Sequence, residues 1–532
     1  MAKDEILIVG AGPVGLTMAC ELKRHGAKVR IIDKSPVYAH DSRAVGVHAR
    51  TLEVFEEMGV LPEFLKTGVK VTGMNLYSGN HRLVHAQYQG LDTPYCFIID
   101  LPQTDTELLL IHHLEKLGVK VERNTELNNL EQKEDGVEVM IKSGERSLVP
   151  DEFAYVVGCD GARSTCRHLT NIAFPGSEYP SNWIVFDAKI DWSYDSQELQ
   201  LFLHEDGVVG FFPLPKERMR VTCELNPHKK GEEPPPVTYD LALSLLQKRV
   251  EPSFKFSQPQ DLSRFIIHHR QVTDYRKGRV FLAGDAAHLH SPAGGQGMNT
   301  GIQDAFNLAW KLALVMSGKG KSALLDTYHQ ERHPIAKDVL SMTDKMTKIA
   351  TTKIAAFSFM RDAVMSFAGS FEKITHQLPK RLSQLYYTYE PNDFLVNEAK
   401  DHPPEHIEVG GRAPDHLLMQ EGKEVRLFDL FKGPHYTLLL FAGKKPTEKE
   451  LESLINFRHP HLKTYYLYRN ESDLKCCPEK GVCLLDREPS CHTHYGITKT
   501  TLVLIRPDNV IGLIQQPPNL KHFENYLKKV FV

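Results

Sequence analysis

Apolar runs alternate with turn-forming residues along most of the chain, and the spacing of the apolar positions changes between regions. Residues 5–33 have the pattern of a strand, a glycine-rich turn, a helix and a second strand. Helical periodicity returns over residues 51–67 and 104–117. Residues 72–98 and 181–224 show short strand-like runs with aromatics, as in GVVGFFPLP. The pattern predicts an α/β domain interleaved with a sheet domain.

The second half of the chain has a different spacing of apolar residues. Residues 300–374 are predicted to be mostly helical, because apolar residues recur at spacings of three and four: Ile302, Phe306, Ala309, Leu312, Ala313 and Met316. A polar, proline-containing passage follows. The last part of the chain then predicts a small α/β domain, with strands in YTLLLFAG, TLVLIRP and VIGLI and a helix near residues 446–457.

Composition narrows the class of protein. The 532 residues carry a net charge of −3 with no strongly basic block, which argues against a nucleic-acid partner. No apolar run reaches the roughly 18 residues of a membrane span, and the N-terminus lacks the features of a signal peptide. A cytoplasmic protein is expected. Nine irregularly spaced cysteines favour reduced thiols over a disulfide framework, and their spacing predicts no metal site.

The first chemical motif is ILIVGAGPVGLTMACELKRHGAKVRIID, with Gly10, Gly12 and Gly15 in the spacing G-x-G-x-x-G. It lies between a predicted strand and a predicted helix, where such glycines let the backbone approach a pyrophosphate. Pro13 suits the first helical turn, and Asp33 ends the second strand, where an acid can bind ribose hydroxyls. The motif predicts a dinucleotide but leaves NAD and FAD open.

A second glycine-rich segment is GRVFLAGDAAHLHSPAGGQGMNTGIQDAFNLAWKL, residues 278–312. An apolar strand over Val280–Ala283 is expected to end at Gly284 and Asp285. Thr300 and Gln303 have the spacing of a capping box at the start of the next helix. His288 and His290 are interpreted as structural hydrogen-bonding residues rather than acid–base groups.

Together with DSRAVGVHARTLEVFEEMG and YVVGCDGARSTCR, these segments resemble the class A flavoprotein monooxygenases, the aromatic hydroxylases of the p-hydroxybenzoate hydroxylase fold. The resemblance is closest to the pentachlorophenol monooxygenase, hydroxyphenylpropionate hydroxylase and polyketide hydroxylase subgroup. It implies a Rossmann-like FAD-binding domain, an interleaved substrate-binding sheet domain and a thioredoxin-like α/β domain. The corresponding boundaries are 1–71, 99–180 and 268–395 for the FAD domain, 72–98 and 181–267 for the sheet domain, and 405–532 for the last.

The resemblance also implies which residues contact the cofactor. Asp285 would bind a ribityl hydroxyl, Pro292 would lie near flavin C4a, and Asp160 would serve FAD and nicotinamide binding. The full implied set is Gly10, Gly12, Pro13, Val14, Gly15, Asp33, Lys34, Arg43, Gln103, Leu127, Asp160, Gly284, Asp285, Pro292, Gly295, Gly297, Met298 and Asn299.

The implied reaction is reduction of FAD by NADPH or NADH, followed by hydroxylation of an aromatic substrate through a C4a-hydroperoxide formed with O₂. No second glycine fingerprint is found, so the nicotinamide nucleotide is expected to bind transiently. Yeast-type phenol hydroxylases place an aspartate where this chain has Val45, so no catalytic base is identified and an already acidic substrate is one hypothesis. Pocket-wall candidates, with sheet core as the alternative, are Val45, Val47, Phe97, Phe211, Phe212 and Pro213.

Other functions remain open at this point. With the same cofactor, the protein could instead inactivate an antibiotic of the tetracycline or rifamycin type, or act as an O₂-independent reductase. A flavin-binding scaffold without enzymatic activity is a further alternative. The thioredoxin-like domain has no C-x-x-C after its first strand, so it is interpreted as a structural or oligomerisation module, with a homodimer as one expectation.

Overall fold

The computed structural model describes residues 4–38, 44–225, 236–250, 254–351, 371–399, 404–443, 454, 457–477, 481–487 and 490–532. The chain forms two compact units. The first comprises Met1–Cys20, Val29–Ala305 and Ala336–Leu385, and the second comprises Glu21–Lys28, Phe306–Ile335 and Tyr386–Val532. The domain boundaries expected from the family resemblance stay a prediction.

The described strands, in chain order, are β1 (Glu5–Val9), β2 (Lys28–Ile32), β3 (Gly46–Val47), β4 (Val69–Val71), β5 (Gly73–Ser78), β6 (His81–Gln87), β7 (Ile98–Asp100), β8 (Thr125–Gln132), β9 (Val137–Ser143), β10 (Val149–Phe153), β11 (Tyr155–Gly158), β12 (Gly176–Asp191), β13 (Glu198–Leu203), β14 (Val209–Leu214), β15 (Arg218–Leu225), β16 (Lys255–Gln271), β17 (Arg276–Lys277), β18 (Val280–Leu282), β19 (His288–Leu289), β20 (Val396–Glu398), β21 (Leu417–Gln420), β22 (Lys423–Arg426), β23 (Tyr436–Phe441), β24 (Leu462–Tyr468), β25 (Val482–Leu485), β26 (Thr501–Ile505) and β27 (Ile511–Gln515).

The described α-helices are α1 (Pro13–Arg24), α2 (Ala49–Met58), α3 (Leu61–Thr67), α4 (Gln103–Lys116), α5 (Thr165–Leu169), α6 (Tyr239–Arg249), α7 (Gln296–Met316), α8 (Thr327–Ala350), α9 (Phe371–Ser383), α10 (Leu427–Phe431), α11 (Cys491–His494) and α12 (Leu520–Val530). None of the helices in the described part of the chain has the length and apolar character needed to cross a bilayer.

A five-stranded sheet of order β17-β18-β11-β1-β2 carries the first glycine motif. Its central strands are parallel, with β11 paired to both β1 and β18. The apolar residues of β1 and β18 are buried, as expected for strands covered on both faces. The carboxyl ends of β1 and β18 therefore meet at one edge, which brings the two glycine-rich segments together.

An eight-stranded sheet of order β19-β16-β12-β15-β14-β13-β5-β6 forms the second layer of the first unit. One face packs against α6 around a core that includes Phe186, Phe211 and Leu246. Phe212 and the residue that pairs with it in the strand register, Arg220, lie on the opposite face. A three-stranded sheet of order β3-β7-β4 packs on β14 through β4 and β7. The predicted mixture of α/β and sheet layers is confirmed.

The second unit contains an eight-stranded mixed sheet of order β20-β27-β26-β23-β24-β25-β21-β22. Leu438 and Leu440 face a core with α12, whereas Leu439 and Phe441 face a second core with α10. Because strand side chains alternate, β23 is buried on both faces, as its continuous apolar run indicates. The helix predicted near 446–457 falls mostly outside the described residues.

A buried ionic cluster lies in the second unit, formed by Asn307, Lys311, Glu331, Arg506 and Asp508. Arg506 donates to both oxygens of Glu331 at 2.7 and 2.9 Å, and the Lys311 ammonium is 2.7 Å from Glu331 Oε2. Asp508 accepts from Nε and Nη2 of Arg506, and Asn307 Nδ2 donates to Glu331 at 2.6 Å. Every charged group of the ionic cluster has an opposite charge in contact.

The expectation that the cysteines fit a reduced compartment rather than a disulfide framework is wrong for one pair. Cys477 and Cys483 form a disulfide, and their Cα atoms are 6.3 Å apart. The turn that ends at Cys477 folds back toward β25, which brings two cysteines of unremarkable spacing within disulfide range.

Candidate functional site

The first glycine loop is built by close backbone packing. Gly10 has a φ of +102°, and a Cβ there would lie 2.4 Å from the Cys159 carbonyl oxygen. A Cβ at Gly15 would lie 1.9 Å from the Gly10 carbonyl oxygen. At Gly12, in contrast, a Cβ would meet no atom within 4 Å. Gly10 and Gly15 are therefore required by the fold itself, whereas Gly12 leaves open space in front of the start of α1 at Pro13.

Asp33 links this loop to the turn after β2. Its two carboxylate oxygens accept hydrogen bonds from the backbone N–H groups of Ala11, at 2.6 Å, and Ser35, at 2.7 Å. The side chain is 15% exposed, and the guanidinium of Arg123 lies 3.8 Å away. Each oxygen keeps a second lone pair, so the ribose role expected for Asp33 is compatible with these bonds.

The two glycine segments touch through Val14. A Cβ at Gly284, whose φ is +60°, would lie 2.8 Å from a Val14 methyl carbon. A Cβ at Gly301 would lie 2.6 Å from the same methyl. Both glycines are thus needed for α1 and α7 to come this close to the end of β18.

The Gly-Asp turn after β18 presents Asp285 to solvent, where the family resemblance predicts a ribityl contact. Arg167 holds this turn, because its guanidinium donates to the Ala286 carbonyl at 2.9 Å. Asp160 holds the start of α5, accepting from Ser164 Oγ at 2.5 Å and from Cys166 N–H at 3.1 Å. The structure therefore shows Asp160 supporting the backbone around the site.

Pro292 is exposed and precedes a 3₁₀ turn, Ala293–Gly295, after which α7 begins at Gln296. The capping box expected from Thr300 and Gln303 is wrong, because the helix starts four residues before Thr300. Thr300 Oγ1 instead donates to the Gln296 carbonyl, a bond within the helix. Gly297 and Met298 are partly exposed in the first turn of α7.

Asn299 ties this turn to β3. Its side chain accepts from the backbone N–H of His48 at 2.9 Å and donates to the carbonyls of Gly46 and Gly295 at 2.8 and 2.9 Å. The His48 ring lies 2.9 Å from the Gly294 carbonyl. Asn299 was predicted to contact the cofactor, but every hydrogen bond it makes here positions the backbone. His48 was not singled out from the sequence.

A buried amide network, defined by Gln296, Thr300, Gln303 and Gln384, fixes the start of α7. Gln384 donates to Gln296 at 2.6 Å and to Thr300 at 3.0 Å, and it accepts from Gln303 at 2.5 Å. Gln296 also donates to the Gly294 carbonyl at 2.8 Å. Gln384 lies more than 80 residues from its partners, so no local sequence signal points to this network.

Three histidines surround the same turn. Burial lowers the pKa of His48 to about 4 and that of His290 to about 4, so both rings are neutral at physiological pH. His288 lies 2.8 Å from the carboxylate of Asp304, and both side chains are fully buried. His288 thus makes a buried hydrogen-bonding contact of the kind expected from the sequence, and its structural role stays a prediction.

The remaining predicted cofactor residues are spread along the first unit. Gln103 begins α4, its backbone N–H donates to the Ala44 carbonyl and its amide donates to Glu107. Leu127 is buried in β8, and Lys34 is exposed after β2. Arg43 lies outside the described residues.

The pocket-wall candidates divide between two environments. Phe211 is fully buried in the core beside α6, where the sheet-core alternative applies, whereas Phe212 faces the opposite side. Val45, Val47 and Pro213 are buried, and Phe97 is partly exposed with the Lys70 ammonium 5.1 Å from its ring.

On the Phe212 face, Arg220 pairs with Asp187 through two hydrogen bonds of 2.7 and 2.9 Å. A cavity of about 410 Å³ opens beside this pair, a volume typical of small-molecule sites. It is lined by residues of α4, β12, β16 and the β14–β15 turn, among them Pro102, Asp187, Lys189, Leu214, Lys216 and Arg218.

The geometry fits an FAD molecule along the edge where β1 and β18 end. Open space at Gly12 faces the start of α1, which offers backbone N–H groups to a pyrophosphate. Asp285 is exposed at the end of β18, and Gly295 is exposed just before α7 begins. The residues present therefore suit both ends of the cofactor.

The family model described as FAD binding domain matches residues 3–343, which include both glycine segments. A rifampicin monooxygenase from Streptomyces venezuelae is 37% identical over 390 residues, covering 73% of this chain and 79% of that protein. A pentachlorophenol 4-monooxygenase from Sphingobium chlorophenolicum is 32% identical over 528 residues, covering 96% and 93%.

Among solved structures, an anhydrotetracycline hydroxylase from Streptomyces rimosus superposes with a TM-score of 0.76 at 29% identity. The match covers 99% of each chain, so the similarity includes the second unit as well as the first.

Proposed function

The chain belongs to the FAD binding domain family and, within it, to the class A flavin-dependent aromatic monooxygenases; on that premise we propose that it uses NADPH or NADH and O₂ to hydroxylate a phenolic or polyketide-like aromatic. The observation that carries the proposal is the pair of glycine segments joined at Val14, with open space at Gly12 and an exposed Asp285. Bound FAD would supply the O₂ activation and oxygen transfer.

The chain's own residues would bind and orient the cofactor. Gly12 and the start of α1 would hold the pyrophosphate, Asp33 the adenosine ribose and Asp285 the ribityl chain. The N-terminus of α7 would place a positive dipole end toward the flavin pyrimidine ring, where reduced flavin carries negative charge. The amide network and Asn299 would keep that end of the helix fixed.

The substrate would lie against the Phe212 face of the large sheet. There the Arg220–Asp187 pair and the cavity of about 410 Å³ offer both polar and apolar surface. Neutral His48 and His290 behind the turn of Gly294 and Gly295 would exclude water without adding charge. The role of this face is to position an aromatic ring and restrict solvent.

Inactivation of an antibiotic is the second candidate function. It is favoured by the 37% identity to a rifampicin monooxygenase, whose name states its substrate. The biosynthetic alternative is favoured by relatives such as the 6-methylpretetramide 4-monooxygenase from Streptomyces rimosus, 32% identical over 530 residues. Both share the proposed cofactor chemistry and differ in the molecule in the cavity.

One assay separates these functions. The purified flavoprotein is mixed with NADPH or NADH and a panel of phenols, polyketides, tetracyclines and rifamycins, and both nucleotide oxidation and O₂ uptake are followed. A compound that stimulates both, with a product heavier by one oxygen atom, supports the proposal and identifies the class. Flavin reduction without O₂ uptake for every compound favours a reductase and overturns it.

Gly12→Val tests the proposed flavin site, with flavin-free wild type as its control. Its side chain meets no protein atom within 4 Å of the Cβ, so the fold should be retained while the pyrophosphate is blocked. We expect colourless protein that unfolds at the same temperature as flavin-free wild type. Retention of FAD by this variant would contradict the proposed site.

For residues 405–532 we propose a structural or oligomerisation role. Light scattering of the whole chain tests whether it forms the expected homodimer.

A further inference from the structure

Asp100, the last residue of β7, carries a buried carboxyl group with one oxygen atom, Oδ2, that accepts no hydrogen bond from the described residues. The residue is 1% exposed, and its Oδ2 contacts no donor in the described part of the chain. Carboxyl groups this deeply buried are normally paired with a cation or with several donors. The charged residues of the ionic cluster in the second unit follow that rule, whereas Asp100 departs from it. A departure of this kind calls for a physical explanation.

The backbone places Asp100 directly opposite Gly46. The two residues pair across β7 and β3, and Asp100 Oδ1 lies 3.4 Å from the point that a Cβ of Gly46 would occupy. The neighbouring pair of residues is also hydrogen-bonded, since Leu101 N–H donates to the Val45 carbonyl. The carboxyl group therefore occupies the space that the missing side chain of residue 46 leaves.

Few charged groups of the described residues surround Asp100. The charged groups that face it are Arg220 from β15 and, beyond it, Asp187 from β12, which already takes two guanidinium donors. Burial raises the pKa of the Tyr88 hydroxyl, and the nearby Asp100 charge raises it further; this hydroxyl also lacks a hydrogen-bond partner among the described residues. Two polar groups in one buried region thus lack partners.

The same region borders the candidate substrate cavity. Asp187 and Pro102 line the cavity of about 410 Å³, and Pro102 is two residues beyond Asp100. Strand β14, which carries Phe212, packs directly on β7. Asp100 therefore lies at the end of the small-sheet strand that packs on β14, next to the large-sheet face against which the aromatic substrate was placed.

We propose that Asp100 is the acid–base group for the aromatic hydroxyl of the substrate, an inference that rests on the proposed hydroxylase function. The substrate O–H bond breaks, an O–H bond forms on Asp100, and the electron pair stays on the phenolate oxygen. The electron density of the ring rises, which prepares it for attack by an electrophilic oxygen. Asp100 returns the proton to the product oxygen before release.

Burial suits Asp100 to this step. It raises the pKa of the carboxyl well above the usual value, and the Arg220 charge opposes the shift only in part. A phenol has a pKa near 10, so a carboxyl group with a raised pKa is a better-matched base than a solvent-exposed one. Because the base must be ionised to accept a proton, the rate with a neutral phenol should rise with pH through the pKa of Asp100.

The first test uses Asp100→Asn holoenzyme, which keeps the shape of the side chain and removes the base. Two matched substrates are compared: the phenol with the highest turnover in the panel, and a polyfluorinated analogue with the reacting carbon left unsubstituted, chosen so that its hydroxyl is ionised at neutral pH. We expect kcat/KM to fall on the order of 100-fold for the neutral phenol and less than threefold for the analogue. The rise of kcat/KM with pH should disappear in the variant.

A second readout needs no turnover. 4-Nitrophenol is titrated into the oxidised enzyme without nicotinamide nucleotide, and the phenolate band reports how much bound ligand is ionised. Wild type should bind the phenolate at lower pH than in free solution, and Asp100→Asn should move the ionisation upward by about one pH unit or more. Asp261→Asn, an exposed acid in a left-handed conformation that asparagine tolerates, is the matched control.

The outcomes are distinct. Equal losses for both phenols, or an unchanged pH profile and nitrophenol titration, overturn the role of Asp100. A wild type that takes up no O₂ with any panel compound overturns the proposed function instead, and the nitrophenol titration reports on Asp100 independently. Flavin absorbance and melting temperature verify that the variant is folded.

Discussion

Two buried polar regions of this protein differ in one respect. The ionic cluster of the second unit satisfies every charged group, with three opposite-charge contacts between 2.5 and 2.7 Å. The region around Asp100 in the first unit leaves a carboxyl oxygen and the Tyr88 hydroxyl without partners. Both regions are equally inaccessible to solvent.

The difference indicates what each region does. Complete pairing offsets the cost of removing charges from water, so the ionic cluster is accounted for by the folded state alone. Incomplete pairing leaves a desolvation cost that the fold does not offset, and such costs concentrate where a ligand completes the site. The amide network at the start of α7 is intermediate, since it is fully bonded but uncharged.

The largest effect is expected in the ionic cluster. Glu331→Gln removes the shared carboxylate and leaves Arg506 and Lys311 without their main counter-charge. We expect a loss of about 3–5 kcal/mol in the free energy of unfolding, measured by urea titration. The exposed Glu524→Gln should change it by less than about 0.5 kcal/mol. Similar losses of unfolding free energy in the two variants would contradict the stabilising role of the ionic cluster.

The amide network should give a smaller loss. Gln296→Met keeps the volume but removes bonds to Gly294 and Gln384, so we expect about 1–3 kcal/mol of destabilisation and weaker FAD binding. Gln303→Met removes one bond, to Gln384, and should cost less. Urea titration and flavin release measure the two effects. An inverted order would show that the network does not fix α7.

The smallest effect, and one of opposite sign, is expected at Asp100. Its pKa is raised in the folded state, so folding binds a proton and stability is lost as pH rises through that pKa. Asp100→Asn should therefore be more stable than wild type by on the order of 1 kcal/mol at alkaline pH, and equal to it at acidic pH.

Glu331 gives the opposite pH dependence. Although burial acts to raise its pKa, Arg506 and Lys311 hold it below the usual value. The stability it contributes is present above the unfolded pKa and is lost as pH falls through the folded pKa. The cost of Glu331→Gln should thus shrink on acidification. A parallel pH dependence for the two variants would refute the contrast between the regions.

Local signals predicted the parts of the site that are continuous in sequence. The spacing of Gly10, Gly12 and Gly15 and the acid at Asp33 lie within one strand–helix–strand segment, and the structure has that form. The start of α7 was misplaced, because Thr300 and Gln303 mimic a capping box while the helix begins earlier, after Gly295. Long-range partners such as Gln384 override a local signal of this kind.

Other residues had no local signal at all. Asp100 lies in FIIDLPQ, where an acid after an apolar run is ordinary, and its importance depends on the pairing of β7 with β3. Phe211 and Phe212 are adjacent, and only the strand register assigns one to the core and the other to the cavity side. The Cys477–Cys483 bridge depends on a turn that the cysteine spacing does not encode.

The contact of Val14 with Gly284 and Gly301 has a consequence for how this site can change over generations. Three positions in two separate segments share one volume, but they are not interchangeable. Gly284 has a φ of +60°, and a Cβ at Gly301 would also lie 2.9 Å from the Gly284 Cα, so a smaller residue at position 14 makes room for a side chain at neither glycine. Natural variants of this enzyme should therefore inherit both glycines unchanged, and position 14 should vary only among residues no larger than valine.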